Sequence, residues 1–316
     1  MKKGFSFLAL GVSLCLIACE TDDDQMRDLT APVIGAADGR DEIRPVHGET
    51  RAATTDHMHV RFAVEDPSGI AQIRVDVHNS FDGHSHGRIM TGFEPLNVDD
   101  IYSPDASNPT FRFPQGATRV SIDGTGTDIY WGGNNTRVSG NVLAGPYDFS
   151  IQAIDIHGNQ TSFGDGSNYL ATFYIRTPYA PEINVTNLHD GELEGDHGEA
   201  LEVEGTIRKT SHELSSDLKF VWIRLAEEDD DHDHDGHAHA RIMSGEFYER
   251  MWGSSTWRQG FSGPDLPHSG EIDLAELLSG DNAIIVPDGE EHLDLIIWVE
   301  DVSGNISKYV FEVHAH

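Results

Sequence analysis

Cysteine is absent beyond position 19; the only two in the chain are Cys15 and Cys19. Everything downstream therefore lacks both thiols and disulfides. That excludes thiolate catalysis and cysteine-type zinc sites, and leaves nitrogen and oxygen as the donors for any divalent metal. Cations are scarce too: 21 Lys and Arg stand against 54 Asp and Glu, for a formal net charge of −33. Such a chain repels nucleic acid and anionic lipid surfaces, and it attracts cations and basic partners. No apolar run is long enough to span a bilayer. No His-Glu-x-x-His or nucleophile elbow occurs. A metal-dependent hydrolase, which needs an open metal position and a general base, is the least supported of the functional classes. Helical patterning is nearly missing as well, with only Glu271 to Ser279 reading as a short helix.

What is present begins with an address. Lys2 and Lys3 precede an apolar run from Phe5 to Ile17, which ends in Leu16-Ile17-Ala18-Cys19. Positive, apolar and small-residue regions in that order mark a secretory signal over residues 1–18. The Leu-Ile-Ala-Cys end resembles the lipobox of bacterial lipoproteins, which implies cleavage before Cys19 and diacylation of that residue as the anchor. Loss of Lys2 and Lys3 would take the net charge to about −35. Residues 19–30 read as a lipidated tether. Its acidic Glu20-Thr21-Asp22-Asp23-Asp24 resembles the export signal of Bacteroidota lipoproteins that reach the outer face of the outer membrane; a plain solvated tether is the alternative.

The rest of the chain repeats. Asp82-Gly83-His84-Ser85-His86-Gly87-Arg88-Ile89-Met90-Thr91-Gly92 and Asp235-Gly236-His237-Ala238-His239-Ala240-Arg241-Ile242-Met243-Ser244-Gly245 agree at eight of eleven positions. Asp155-Ile156-His157-Gly158-Asn159 closes the first half as Asp301-Val302-Ser303-Gly304-Asn305 closes the second. Two domains follow, 31–177 and 178–316. Alternation reads as strands: Met58, Val60, Phe62 and Val64 turn inward, while His57, His59 and Arg61 face out. Ile73 to Val77, Val221 to Leu225, Leu293 to Val299 and Tyr309 to Val313 read likewise. Asp66-Pro67-Ser68-Gly69 and the two Asp-x-x-Gly-Asn segments suit turns. The expectation is all-β: two tandem Ig-like antiparallel β-sandwiches, with surplus length in Phe93 to Gly145 and Glu246 to Glu291.

Eighteen histidines are unusual, and their clustering is more so. A His-x-His pair on a strand sends both imidazoles to one face. In the first domain the candidate metal ligands are His84 and His86 with Asp82, His78 just before them, and His57 and His59 on another strand. In the second they are His237 and His239 with Asp235, joined by His232 and His234 of the acidic insert Glu227 to His234. Imidazole with carboxylate suits zinc first, with copper or nickel as the other occupants. Binding should weaken below about pH 6 as imidazoles protonate. A solvated His-Asp tract that binds metal weakly is the alternative for Asp231 to Asp235. Met90 and Met243 read as core rather than thioether ligands. Arg88 and Arg241 share the histidine face, as partners of an anion or an Asp. Asp231-x-Asp233-x-Asp235-Gly236 opens like a calcium loop, but Ile242 stands where the bidentate Glu belongs.

The segment His78 to His86, on an Ig-like frame behind a lipobox, resembles an uncharacterised family of Bacteroidota lipoproteins. The resemblance implies a cell-surface setting and metal handling beside a TonB-dependent receptor. The leading expectation is a non-enzymatic surface lipoprotein that captures or buffers zinc. An adhesin or glycan binder, stacking ligand on Tyr130, Trp131, Trp252 and Trp257, is the second. A calcium-stabilised structural module is the third.

Overall fold

The structure is a computed structural model that describes residues 28–80, 92–227 and 246–316. Strands form where apolar residues recur at every second position. Met58, Val60, Phe62 and Val64 are fully buried along His57–Met58 and Arg61–Glu65. In Ile70–Asn79, buried Ile73, Val75 and Val77 alternate with half-exposed Arg74, Asp76 and His78. These two inward rows meet in one core with Phe149, Ile151 and Phe173.

The first half packs three strands against five. Val33–Gly35, Arg61–Glu65 and Arg119–Asp123 make the smaller sheet. The larger runs Thr50–Arg51, Tyr169–Ile175, Gly145–Asp155, Ile70–Asn79, Val98–Tyr102. All pairs in it are antiparallel except the first, where Thr50–Arg51 lies parallel to Tyr169–Ile175.

The second half repeats the plan. Its small sheet is Glu182–Val185, Gly205–Arg208, Glu271–Asp273. Its large sheet runs Leu193–Gly195, Ile306–Ala315, His292–Asp301, Leu218–Glu227, Glu246–Gly253, again with a parallel first pair. The protein is thus all-β, with two sandwiches of one topology, as the repeat and the Ig-like pattern predict. The two His-rich repeats fall in chain order between equivalent strands of the large sheets.

One expectation needs correction. Glu271 to Ser279 is not one helix: Glu271–Asp273 pairs with Gly205–Arg208, and only Leu274–Leu277 is helical. The exposed–buried–exposed order of Glu271, Ile272 and Asp273 suits the sheet, and the Asp273 carboxylate then caps the helical turn by accepting from the Glu276 amide. The stretches read as surplus length contain sheet strands. They supply strands such as Val98–Tyr102, Arg119–Asp123 and Glu246–Gly253.

A third core joins the halves: Phe93, Leu143 and Tyr179 pack with Phe220, Trp222, Trp257, Trp298 and Ile306. It explains the nearly unbroken burial along Leu218–Glu227 and His292–Asp301. One face of each strand points into its own sandwich and the other into the junction. Closing such large side chains off from water is worth roughly 1.5–3 kcal/mol each. Polar contacts fix the docking. The Ala144 amide donates to Asn305 Oδ1 at 3.1 Å, the Ile306 amide to the Ala144 carbonyl at 3.0 Å, and the Lys308 ammonium to the Tyr174 hydroxyl at 3.1 Å. Gly145 sits at φ +142°, where a Cβ would come within 3.2 Å of Ile306 Cβ.

Glu300, fully buried, faces this junction and accepts from Ser255 Oγ at 2.6 Å and the Thr256 amide at 2.9 Å. Burial pushes its carboxyl from an ordinary 4.5 up to about 7. The unfolded chain ionises first as pH rises, so folding stability falls between pH 4.5 and 7 and is flat on either side for this group. The fall should amount to about 3 kcal/mol. Glu300→Gln should remove it, read as the difference between mutant and wild-type denaturant-unfolding curves across that range.

Candidate metal centre

Strand alternation turns His57 and His59 away from the first core, and the turn that ends at Asp128 supplies their carboxylate. Both the amide and the hydroxyl of Thr127 donate to the Gly124 carbonyl, at 3.0 and 2.7 Å, which places Asp128 at the head of Ile129–Tyr130. That strand pairs antiparallel with His57–Met58, matching His57 to Tyr130 and Met58 to Ile129. The amides of Trp131 and Gly132 both donate to the Asp56 carbonyl, and the Trp131 indole donates to the Thr55 carbonyl. The approach at Gly132 is close enough that a Cβ there would lie 2.8 Å from Asp56 Cβ.

The Asp128 side chain is 1% exposed. Its Oδ1 accepts from the Val60 amide at 3.3 Å, and its Oδ2 lies 3.0 Å from His59 Nδ1. His57 Nδ1 is 2.9 Å from Asp56 Oδ1, and its ring stacks on Tyr130 with centroids 5.1 Å apart. The two imidazoles meet edge to face at 5.0 Å. One donor atom each from His57, His59 and Asp128 falls within 4.8 Å of the others. A carboxylate at Nδ1 favours the tautomer protonated there and leaves Nε2 as the lone-pair nitrogen. Two oriented imidazoles with a buried carboxylate form a nitrogen–oxygen donor set of the kind zinc, copper(II) and nickel accept.

The other sequence candidates lie elsewhere. His78 sits on the outer face of the opposite sheet, where Asp76 Oδ1 lies 2.6 Å from its Nδ1 and holds its pKa above the usual imidazole value. It shares no face with His57 and His59. Asp82, His84, His86, His232, His234, Asp235, His237 and His239, together with Met90, Met243, Arg88, Arg241 and Cys19, fall outside the described residues. So does the calcium-like run from Asp231.

Sequence reasoning missed Asp128, which nothing in its local pattern ties to residues nearly seventy positions earlier. It also missed a histidine row in the second half. His292 is matched across the strands to His314, with rings 5.2 Å apart, and His314 and His316 are 4.6 Å apart. The spacing His314-Ala315-His316 was the available signal. The aromatic residues considered for sugar stacking do not form a platform. Trp131, Trp252 and Trp257 are each at most 7% exposed, the Trp257 indole donates to the Gly304 carbonyl, and Tyr130 is stacked on His57.

Residues 17–165 match a family described as a domain of unknown function (DUF4625). That segment contains His57, His59, His78, Asp128 and the first His-x-His repeat. No curated protein matches the chain. Among solved structures, latent PorU of Porphyromonas gingivalis aligns over 93% of this chain at 12% identity and a TM-score of 0.25, and the chain spans only 21% of that protein. A DUF3823 family protein of Parabacteroides merdae aligns over 90% of this chain and 98% of its own, at 11% identity and a TM-score of 0.25. Another from Bacteroides ovatus covers 90% and 98%, at 13% identity and a TM-score of 0.22. Superpositions this loose bear on neither fold nor function. Among the described residues no helix is long and apolar enough to cross a membrane.

Gly132→Ala should destabilise the chain by about 1–3 kcal/mol, because the new methyl displaces the Asp56 side chain, whose carboxylate orients His57. Gly140→Ala, where nothing lies within 4 Å, should stay within about 0.5 kcal/mol. Denaturant unfolding of the two variants checks the contrast.

Proposed function

We propose that this chain is a non-enzymatic lipoprotein, anchored through Cys19 and displayed on the outer membrane, that captures or buffers a divalent transition metal, zinc first. The observation that carries the reading is the convergence of His57, His59 and buried Asp128 within 4.8 Å. Half-exposed imidazoles on paired strands, each oriented by a carboxylate, need little reorganisation to bind. The pronounced negative charge draws cations towards them. The His-x-His repeats around His84 and His237, and the row His292, His314, His316, offer further imidazoles to the same class of ion. This donor-rich surface suits handing metal to a neighbouring uptake receptor of the TonB-dependent kind, the partner implied by the lipoprotein resemblance. The buried indoles weigh against the glycan-binding alternative.

Zinc titration calorimetry on the full chain in detergent tests the reading. Replacing His57 and His59 together by Ala should weaken the tightest site about tenfold or more. If zinc and copper affinities survive both that change and replacement of His84, His86, His237 and His239, the chain is not a metal-capture protein.

A further inference from the structure

A second group of donors lies at the corner where the chain enters the first sandwich. Asp28 precedes the first strand, Asp66 opens the turn after Arg61–Glu65, and Asp155 ends Gly145–Asp155. One oxygen from each falls within 4.8 Å of the others. Asp66 and Asp155 are each only 1% exposed. The turns themselves use part of this charge. Asp66 Oδ1 accepts from the Ser68 amide at 2.8 Å and the Gly69 amide at 3.2 Å, and Asp155 Oδ1 from the His157 and Asn159 amides at 2.8 and 2.7 Å. The Ser68 hydroxyl donates to Asp66 Oδ1 at 2.5 Å and lies 3.4 Å from Asp155 Oδ2, linking the two turns. Asp66 Oδ2 is left over: it is buried and has no hydrogen-bond partner.

Buried carboxylate oxygen without a donor is costly unless a cation neutralises it. Among the described residues, neither lysine nor arginine pairs with any of these three acids. The second sandwich handles its equivalent corner differently. The residue directly after Gly205–Arg208, in the place of Asp66, is Lys209, and its ammonium lies 2.5 Å from Asp217. The Asp217 carbonyl in turn accepts from Val302, beside Asp301. An exposed Lys209–Asp217 ion pair thus stands beside the Asp301 turn, whereas at the first corner no lysine or arginine among the described residues pairs with Asp28, Asp66 or Asp155.

We infer that Asp28, Asp66 and Asp155 bind calcium, tying the segment that leads in from the N-terminus to the two turns at this end of the first sandwich. All-oxygen donors select a hard cation. Mg²⁺ demands near-ideal octahedral geometry and gives up its waters reluctantly, whereas Ca²⁺ accepts an irregular carboxylate set completed by water. The segment is already positioned for it. The Asp28 carbonyl accepts from Asn159 Nδ2 at 2.9 Å, and Asp28 Oδ1 is bonded by the Thr30 amide and hydroxyl. The site uses none of the histidines and stands apart from the transition-metal reading.

The test is calcium titration calorimetry and thermal unfolding of the full chain in detergent, freed of metal by chelation, at physiological salt. Calcium at about 1–5 mM, above the ~10⁻⁴–10⁻³ M range of extracellular modules, should raise the melting temperature more than equal magnesium. Asp28→Asn is the decisive variant, because that side chain accepts from Thr30 next to it in the chain and lies outside both turns. It should fold normally and lose about tenfold in calcium affinity. Asp66→Asn and Asp155→Asn remove turn acceptors, so a folding failure there is not the readout. Equal calcium affinity in wild type and Asp28→Asn overturns the site, as does a magnesium effect equal to that of calcium. Loss of calcium binding in the His57→Ala, His59→Ala double variant instead assigns the ion to the imidazoles and also overturns it.

Discussion

The pleat of the β-strand imposes the division on which this protein is built. Because successive side chains leave a strand on opposite faces, every apolar residue sent inward commits its neighbours to the outside. Met58, Val60 and Phe62 fill the first core, and that placement alone turns His57 and His59 outward on one side. The same rule at Ile73, Val75 and Val77 turns His78 outward on the far side of the sandwich. Packing therefore decides which histidines can meet.

The junction depends on a departure from that simple division. Phe220, Trp222 and Trp298 occupy faces that would be solvated in a lone sandwich, and the first half together with the Ser255–Phe261 loop covers them. The consequence is mechanical. Two sandwiches joined by backbone hydrogen bonds and a large aromatic core present their donor surfaces in a fixed relation. Glu300 marks the chemical side of the same arrangement, a carboxyl held where its charge is disfavoured, with hydroxyl and amide donors in place of water.

Much of this was legible from the residues. Apolar alternation and the repeated Asp-x-x-Gly-Asn closures gave the strands, the two-fold plan and the outward direction of His57 and His59. Spacing could not reveal partners brought together by topology. Asp128 meets His59 only because Ile129–Tyr130 folds back on His57–Met58, and Asp28, Asp66 and Asp155 come from three separate stretches. The false helix at Glu271 arose because a three-residue strand and a capped helical turn, written consecutively, mimic one amphipathic segment. Continuous burial in Leu218–Glu227 followed from the junction, which no local period encodes.

Among the described residues the large sheets end in unpaired edges, and these carry a consequence for how copies of the chain meet. At one edge lie strands of two and three residues, Thr50–Arg51 and Leu193–Gly195. At the other, Val98–Tyr102 shows Asp99 and Ile101 outward, and Glu246–Gly253 shows Glu246, Phe247, Glu249 and Arg250. Short strands and charged rims are poor templates for a neighbour's backbone. The short strands at one border and the charges along the other thus weaken the sheets as templates for edge-to-edge pairing, in addition to the net charge.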